Sequence, residues 1–214
     1  VKDFLSRNRI PFQWLDIEID EDAKILVDGL DEATKSLPII FFPDGSILSN
    51  PEPRLIAEKV GLQTEASAPF YDVIIIGGGP AGLAAGVYGA SEGLKTLLIE
   101  KEATGGQAGT SSLIENYLGF PKGVSGSELA KRATDQAIRL GCEILTTAEV
   151  VNIRIEDAYK IITLKDAGEI GCKALVIATG VSLNKLDIPG AATFSGAGVY
   201  YGAALTEAIN YRAG

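Results

Sequence analysis

Apolar residues fall along this chain in short runs punctuated by glycine, proline and acidic clusters, a rhythm that predicts alternating helices and strands. Phe4 to Ile10 reads as the end of a helix broken by Pro11. Phe12 to Ile19 alternates apolar and polar, as a half-exposed strand does. Asp20 is placed to cap a helix running to about Asp28, with Glu21 and Asp22 in its first turn and Gly29 at its end. A buried strand over 36–42 then enters the turn Pro43-Asp44-Gly45, followed by a short strand at Ile47-Leu48 and a helix from Glu52 to Val60.

The polar, small-residue stretch Gln63 to Pro69 reads as a connection between domains. Beyond it, Val73 to Ile76 is an apolar run of the kind that lies in the middle of a parallel sheet. A helix over Ala81–Ala90, a stop at Gly93 and a second apolar strand, Lys95 to Ile99, follow. Ser125 to Gly141 is an amphipathic helix with Leu129, Ala133, Ala137 and Leu140 on one face. Glu143–Ile153 and Tyr159–Leu164 are strand-like, and Ala174 to Gly180 is a further buried strand ending in a small-residue turn. Strands alternating with helices make the fold class α/β: a Rossmann-like domain, its parallel sheet flanked by helices, preceded by a small α/β unit.

The chemistry is concentrated between the first two apolar strands of that larger domain. Gly77-Gly78-Gly79-Pro80-Ala81-Gly82 is a G-x-G-x-x-G match set between strand and helix. Gly77 permits the tight turn, Gly79 leaves the backbone open to a pyrophosphate, and Gly82 lets the helix lie close to the sheet. Pro80 fits the first helical turn, where its missing N–H is not needed. Glu100 ends the second strand about twenty residues on, where a carboxylate accepts hydrogen bonds from a ribose diol. An acid at that position favours a free 2′-hydroxyl, hence NAD or FAD rather than NADP.

A chain of 214 residues has room for one large or two small domains, and 46% hydrophobic residues can build a real core. The net charge of −9 argues against nucleic acid and against anionic membrane surfaces. No apolar run reaches the length of a membrane span and no signal-peptide pattern opens the chain, so a cytoplasmic location is the default expectation. The sequence has no histidine, which removes imidazole bases, Ser-His triads and His-ligated metals, and no metal site is expected. It also has no methionine and begins at Val1, as a piece of a longer protein does. Its two cysteines, Cys142 and Cys172, stand in apolar surroundings and read as buried free thiols.

GGGPAG at 77–82, Glu100, GGQ at 105–107, EN at 115–116 and ATG at 178–180 together resemble the bacterial, low-molecular-weight thioredoxin reductases. These are FAD- and NAD(P)-dependent pyridine nucleotide-disulfide oxidoreductases. The resemblance implies FAD bound across Gly77, Gly79, Pro80, Ala81, Gly82, Glu100 and Lys101. It places Gly106, Gln107 and Asn116 toward the flavin, Val150 beside the adenine, and Ala178, Thr179 and Gly180 along the phosphate and ribitol. Residues 1–66 resemble a thioredoxin or glutaredoxin fold without its first strand, with Leu37-Pro38-Ile39 at the family's cis-proline. That unit contains no cysteine, so a docking or spacer role is preferred and Trp14 is taken as core or interface. The expected organisation is a degenerate thioredoxin-like unit at 1–66, a linker at 67–70, an incomplete FAD domain at 71–190 and the start of an NAD(P)-binding domain at 191–214.

Two departures qualify the resemblance. Where the family carries Cys-x-x-Cys, this sequence has Gly202 and Leu205, with Thr206 in place of the aspartate that commonly follows. The family's second G-x-G-x-x-G does not appear before Gly214. The expected function is a flavoprotein oxidoreductase in which NAD(P)H reduces FAD and electrons pass to a small redox protein or a small-molecule acceptor. The chain alone is expected to be inactive and to supply no catalytic acid, base or thiol. Alternatives are a ferredoxin- or flavodoxin-NADP reductase-like enzyme, or a non-catalytic FAD-binding sensor or interaction module. Tyr200 and Tyr201 stack on a ring or simply pack, and homodimerisation stays open.

Overall fold

A computed structural model describes residues 1–181, 184–195 and 198–199. Tyr200, Tyr201, Gly202, Leu205 and Thr206 therefore lie outside the described residues. The chain divides into two compact units, Val1–Thr64 and Glu65–Gly214.

In the first unit, helix α1 (Lys2–Arg7) and helix α3 (Pro53–Lys59) bury Phe4, Leu5, Ile56 and Ala57 around a small core. Between them lie helix α2 (Glu21–Asp28) and an antiparallel pair, β1 (Ile39–Phe41) with β2 (Ile47–Ser49). Asp20 caps α2 as its sequence suggests, its Oδ1 accepting the Ala23 N–H at 2.9 Å. The Leu37–Pro38 bond is cis. Three expectations are corrected here. Residues 12–19 do not form a strand, because Asp16 turns the chain. Its side chain accepts the Glu18 N–H and its carbonyl accepts the N–H groups of Ile19 and Asp20. The strand expected over 36–42 is only three residues long and is not buried, Phe41 being 44% exposed. Trp14 is not core: it is 49% exposed, with the Lys2 ammonium 5.3 Å from its ring centroid.

The second unit is built on a six-stranded sheet. Its strands are β3 (Phe70–Ile76), β4 (Thr96–Ile99), β5 (Glu143–Leu145), β6 (Val150–Glu156), β7 (Tyr159–Leu164) and β8 (Gly168–Ile177). They lie in the order β5-β4-β3-β8-β7-β6. The neighbours from β5 to β8 are parallel, whereas β8, β7 and β6 form an antiparallel meander. Helices α4 (Pro80–Ser91) and α5 (Gly126–Arg139) supply the other layer.

Side-chain alternation along the central strands sorts the core onto two faces. Ile74, Ile76, Leu97 and Ile99 join Leu145, Ile162, Leu164, Ile170 and Cys172 on the face covered by the meander. Ile75 and Leu98 join Leu83, Ala90, Ala137 and Cys142 on the helical face. Each fully buried Ile or Leu contributes roughly 1.5–3 kcal/mol. Both cysteines are free and buried, in different clusters. Burial, reinforced by the neighbouring Glu143 charge, pushes the Cys142 thiol up to about 11, and burial also raises that of Cys172.

Two strand assignments change. Residues 143–153 are not one strand but β5 and the start of β6, because Thr147 adopts φ 55° and turns the chain between them. β8 begins at Gly168, before the expected Ala174, since its first half completes the hairpin with β7. Its last residues are not buried, Ile177 being 65% exposed. Among the described residues, no helix is long and apolar enough to cross a membrane.

Candidate dinucleotide site

Three parallel strands, β4, β3 and β8, end side by side, and the residue after each belongs to the candidate site: Glu100, Gly77 and Ala178. The strand ladder continues one rung into these loops. Gly77 N–H donates to the Ile99 carbonyl at 2.8 Å, Ala178 N–H to Ile76 at 2.8 Å, and Glu100 N–H to Leu145 at 2.9 Å. The loops are therefore held in register by the sheet itself.

The glycines are required by what surrounds them. Gly77 has φ 104°, and a Cβ there would stand 2.3 Å from the Ala178 carbonyl oxygen. A Cβ on Gly82 would stand 1.8 Å from the Gly77 carbonyl oxygen, so this residue lets α4 lie against the turn. Gly79 is the N-cap of α4, Pro80 and Ala81 open the helix, and no side chain caps its first turn. The helix thus presents free backbone donors and the positive end of its dipole beside a stretch of bare main chain. That combination accepts an anion such as a pyrophosphate.

Glu100 is 9% exposed, and its carboxylate is pinned by main chain. Oε2 accepts the Gly78 N–H at 2.7 Å and Oε1 accepts the Glu102 N–H at 2.9 Å. Each oxygen retains lone-pair capacity for a ribose hydroxyl. Gly78, the middle of the triple glycine, occupies a variable position of the G-x-G-x-x-G pattern. A Cβ on it would meet Glu100 Oε2 at 3.1 Å, so it makes room for the acid. The run of three glycines was the available signal.

A second loop closes on the first. Gly105 N–H donates to the Gly78 carbonyl at 2.8 Å, and a Cβ on Gly106 would lie 3.1 Å from the Gly79 Cα. Gly106, placed by resemblance toward the flavin, thus abuts the phosphate-side loop. The structure brings together Gly77, Gly79, Gly82, Glu100, Gly106, Ala178 and Thr179. Lys101, Gln107, Thr179 and Gly180 are exposed on the loops beside the strand ends, and Asn116 is exposed on a separate loop. Val150 opens β6 and packs against the meander-side core, while nearby Ala148 N–H donates to the Glu100 carbonyl at 3.1 Å. A cleft of about 200 Å³ between α4 and α5, walled by Leu83, Val87, Tyr88, Tyr117, Leu129 and Ala133, reaches the site's edge at Pro80 and Gly105. Neither Gly77 nor Glu100 lines it.

Comparison with known proteins agrees with this architecture. The chain is 41% identical over 131 residues to the thioredoxin reductase of Treponema pallidum, covering 61% of this chain and 42% of that one. It is 35% identical over 134 residues to the bifunctional thioredoxin reductase/thioredoxin of Mycobacterium leprae, covering 63% and 29%. Among solved structures, Lactococcus lactis thioredoxin reductase superposes with a TM-score of 0.55 at 40% identity, over 58% of this chain and 40% of that one. The T. acidophilum thioredoxin reductase gives 0.56 at 34% identity, over 60% and 41%. The chain thus spans about two fifths of the length of the Treponema relative. Residues 71–210 match the family described as Pyridine nucleotide-disulphide oxidoreductase, and the chain belongs to that family.

Proposed function

We propose that this chain forms the FAD-binding part of a flavoprotein oxidoreductase of the thioredoxin-reductase type. One observation carries the reading: bare glycine backbone, uncapped helix amides and a main-chain-pinned carboxylate converge at three adjacent strand ends. In this reading Glu100 holds the adenosine ribose with Lys101 beside it, and Gly77, Gly79, Pro80, Ala81 and Gly82 hold the pyrophosphate. Gly106, Gln107 and Asn116 approach the flavin, Val150 borders the adenine, and Ala178, Thr179 and Gly180 follow the phosphate and ribitol. Bound FAD supplies the ring that receives hydride from NAD(P)H, and the protein's part is to bind and orient it.

Gly202 and Leu205 stand where the family's active cysteines are expected, which favours onward transfer that does not use a dithiol of this chain. Small redox proteins of the ferredoxin or flavodoxin kind, or small molecules, are the acceptor classes that fit. The same substitution favours, as a second reading, a module in which FAD is structural. Residues 1–66 serve as a thioredoxin-like docking unit without thiol chemistry.

The deciding experiment is an absorbance spectrum of the purified protein, with its intact mass, followed by addition of NADH or NADPH. Flavin bands that bleach on addition support the oxidoreductase. Flavin bands that persist in the full-length protein support the structural module. A protein that takes up no FAD refutes both.

A further inference from the structure

Helix α5 lies outside the G-x-G-x-x-G unit, yet one of its ridges is fitted to the loop that closes on the glycines. Gly126, Ala130 and Thr134 are spaced four apart and so share a face of the helix. Each meets the segment 104–111. A Cβ on Gly126 would lie 1.8 Å from the Ala108 carbonyl oxygen, and Gly126 N–H donates to the Ser111 carbonyl at 2.9 Å. A Cβ on Gly105 would lie 2.7 Å from the Ala130 Cβ. Thr134, only 4% exposed, sets its Oγ1 2.9 Å from Thr104 Oγ1 and 2.8 Å from the Ala130 carbonyl oxygen. One hydroxyl carries one proton. The Thr134 hydroxyl is the donor toward both Thr104 Oγ1 and the Ala130 carbonyl, so that proton is shared between helix and loop.

The hydroxyl pair therefore fixes the start of the loop whose next residue, Gly105, holds the Gly78 carbonyl. Gly78 in turn donates to Glu100. We infer that Thr134 is a positioning residue for the dinucleotide: through Thr104 and Gly105 it sets the placement of Gly78 and hence of the Glu100 carboxylate. The inference rests on the FAD reading given above. Thr134 touches neither Gly78 nor Glu100 in this relay; it acts through the 104–106 loop. Nothing in the G-x-G-x-x-G pattern points to it, since the pattern ends more than fifty residues earlier.

The test titrates FAD into the full chain and into Thr134→Val, Thr134→Ser and Thr104→Val, with amide exchange followed on the ligand-free proteins. Thr134→Val keeps the shape and removes the hydroxyl. It is expected to weaken FAD binding about ten-fold and to speed exchange at the Gly105 amide, while Thr134→Ser stays within about two-fold of wild type. Thr104→Val, on the half-buried loop partner, is expected to reproduce the loss, and the double valine variant to add little to either. It also keeps the test decisive if Thr134→Val fails to fold. Unchanged FAD affinity and unchanged Gly105 exchange in the valine variants, even with a lowered melting temperature, would overturn the inference and leave the FAD reading standing. A wild-type chain that takes up no FAD would overturn both.

Discussion

At Glu100 the carboxylate already serves the fold, so replacing it removes two acceptors from a nearly closed space. Glu100→Ala strands the N–H groups of Gly78 and Glu102. The expected loss of stability is roughly 1–3 kcal/mol, together with weaker FAD binding, read by denaturant melts and by flavin titration. Glu100→Gln keeps one acceptor but turns an amide NH2 toward the other N–H, and should fall between. This double duty was not legible from the motif, which speaks only of the ribose. The acid's position after an apolar strand could be read. Its bond to the Gly78 amide, adjacent in space but twenty-two residues away in sequence, could not. Gly77 and Gly82 were legible because the positive φ of Gly77 and the contact of Gly82 with the Gly77 carbonyl belong to one turn, whereas the fit of Gly77 against Ala178 and of Gly78 against Glu100 depends on where β8 and β4 end.

Among the elements, β5 is short, and its first residue ties down the segment entering β3. Glu143 accepts the Ser67 N–H at 2.7 Å, the Ser67 hydroxyl at 2.6 Å and the Tyr71 hydroxyl at 2.6 Å. Partial burial opposes its charge, but the bonds from Ser67 and Tyr71 together outweigh burial and lower its pKa. A carboxylate with a depressed folded pKa contributes stability that is complete above its unfolded pKa of about 4.3 and is lost as pH falls through the folded value. Glu143→Gln is therefore expected to lower the melting temperature at pH 7, with the gap from wild type closing below about pH 4. A gap independent of pH would count against the charge. Helices α4 and α5 and strands β3 and β4 were readable, since periodicity, glycine stops and the Ser125 cap all act within a few residues of sequence. The failure at 12–19 has a local cause too: alternation favoured a strand, and one aspartate side chain competed successfully for the backbone. The split between β5 and β6 was hidden because nothing in Thr146-Thr147 marks a residue at positive φ.

For the whole molecule, every residue assigned to the dinucleotide falls between Gly77 and Gly180, within the second unit. Both cores of that unit are drawn from its own residues. Removing residues 1–64 is accordingly expected to leave the FAD dissociation constant within about two-fold, an outcome flavin titration of the shortened chain reads directly; a change of ten-fold, about 1.4 kcal/mol, would give the first unit a part in the site. The order of the strands carries a consequence for the making of the protein. β3 pairs with β4 soon after both exist, but its other neighbour, β8, is made about a hundred residues later. Until Ala178 has left the ribosome, Gly77 has no wall on that side and the central strand keeps an open edge. The nascent chain passes through a long interval in which its nucleotide turn is complete in sequence and unfinished in space, and only the last strand of the sheet ends it.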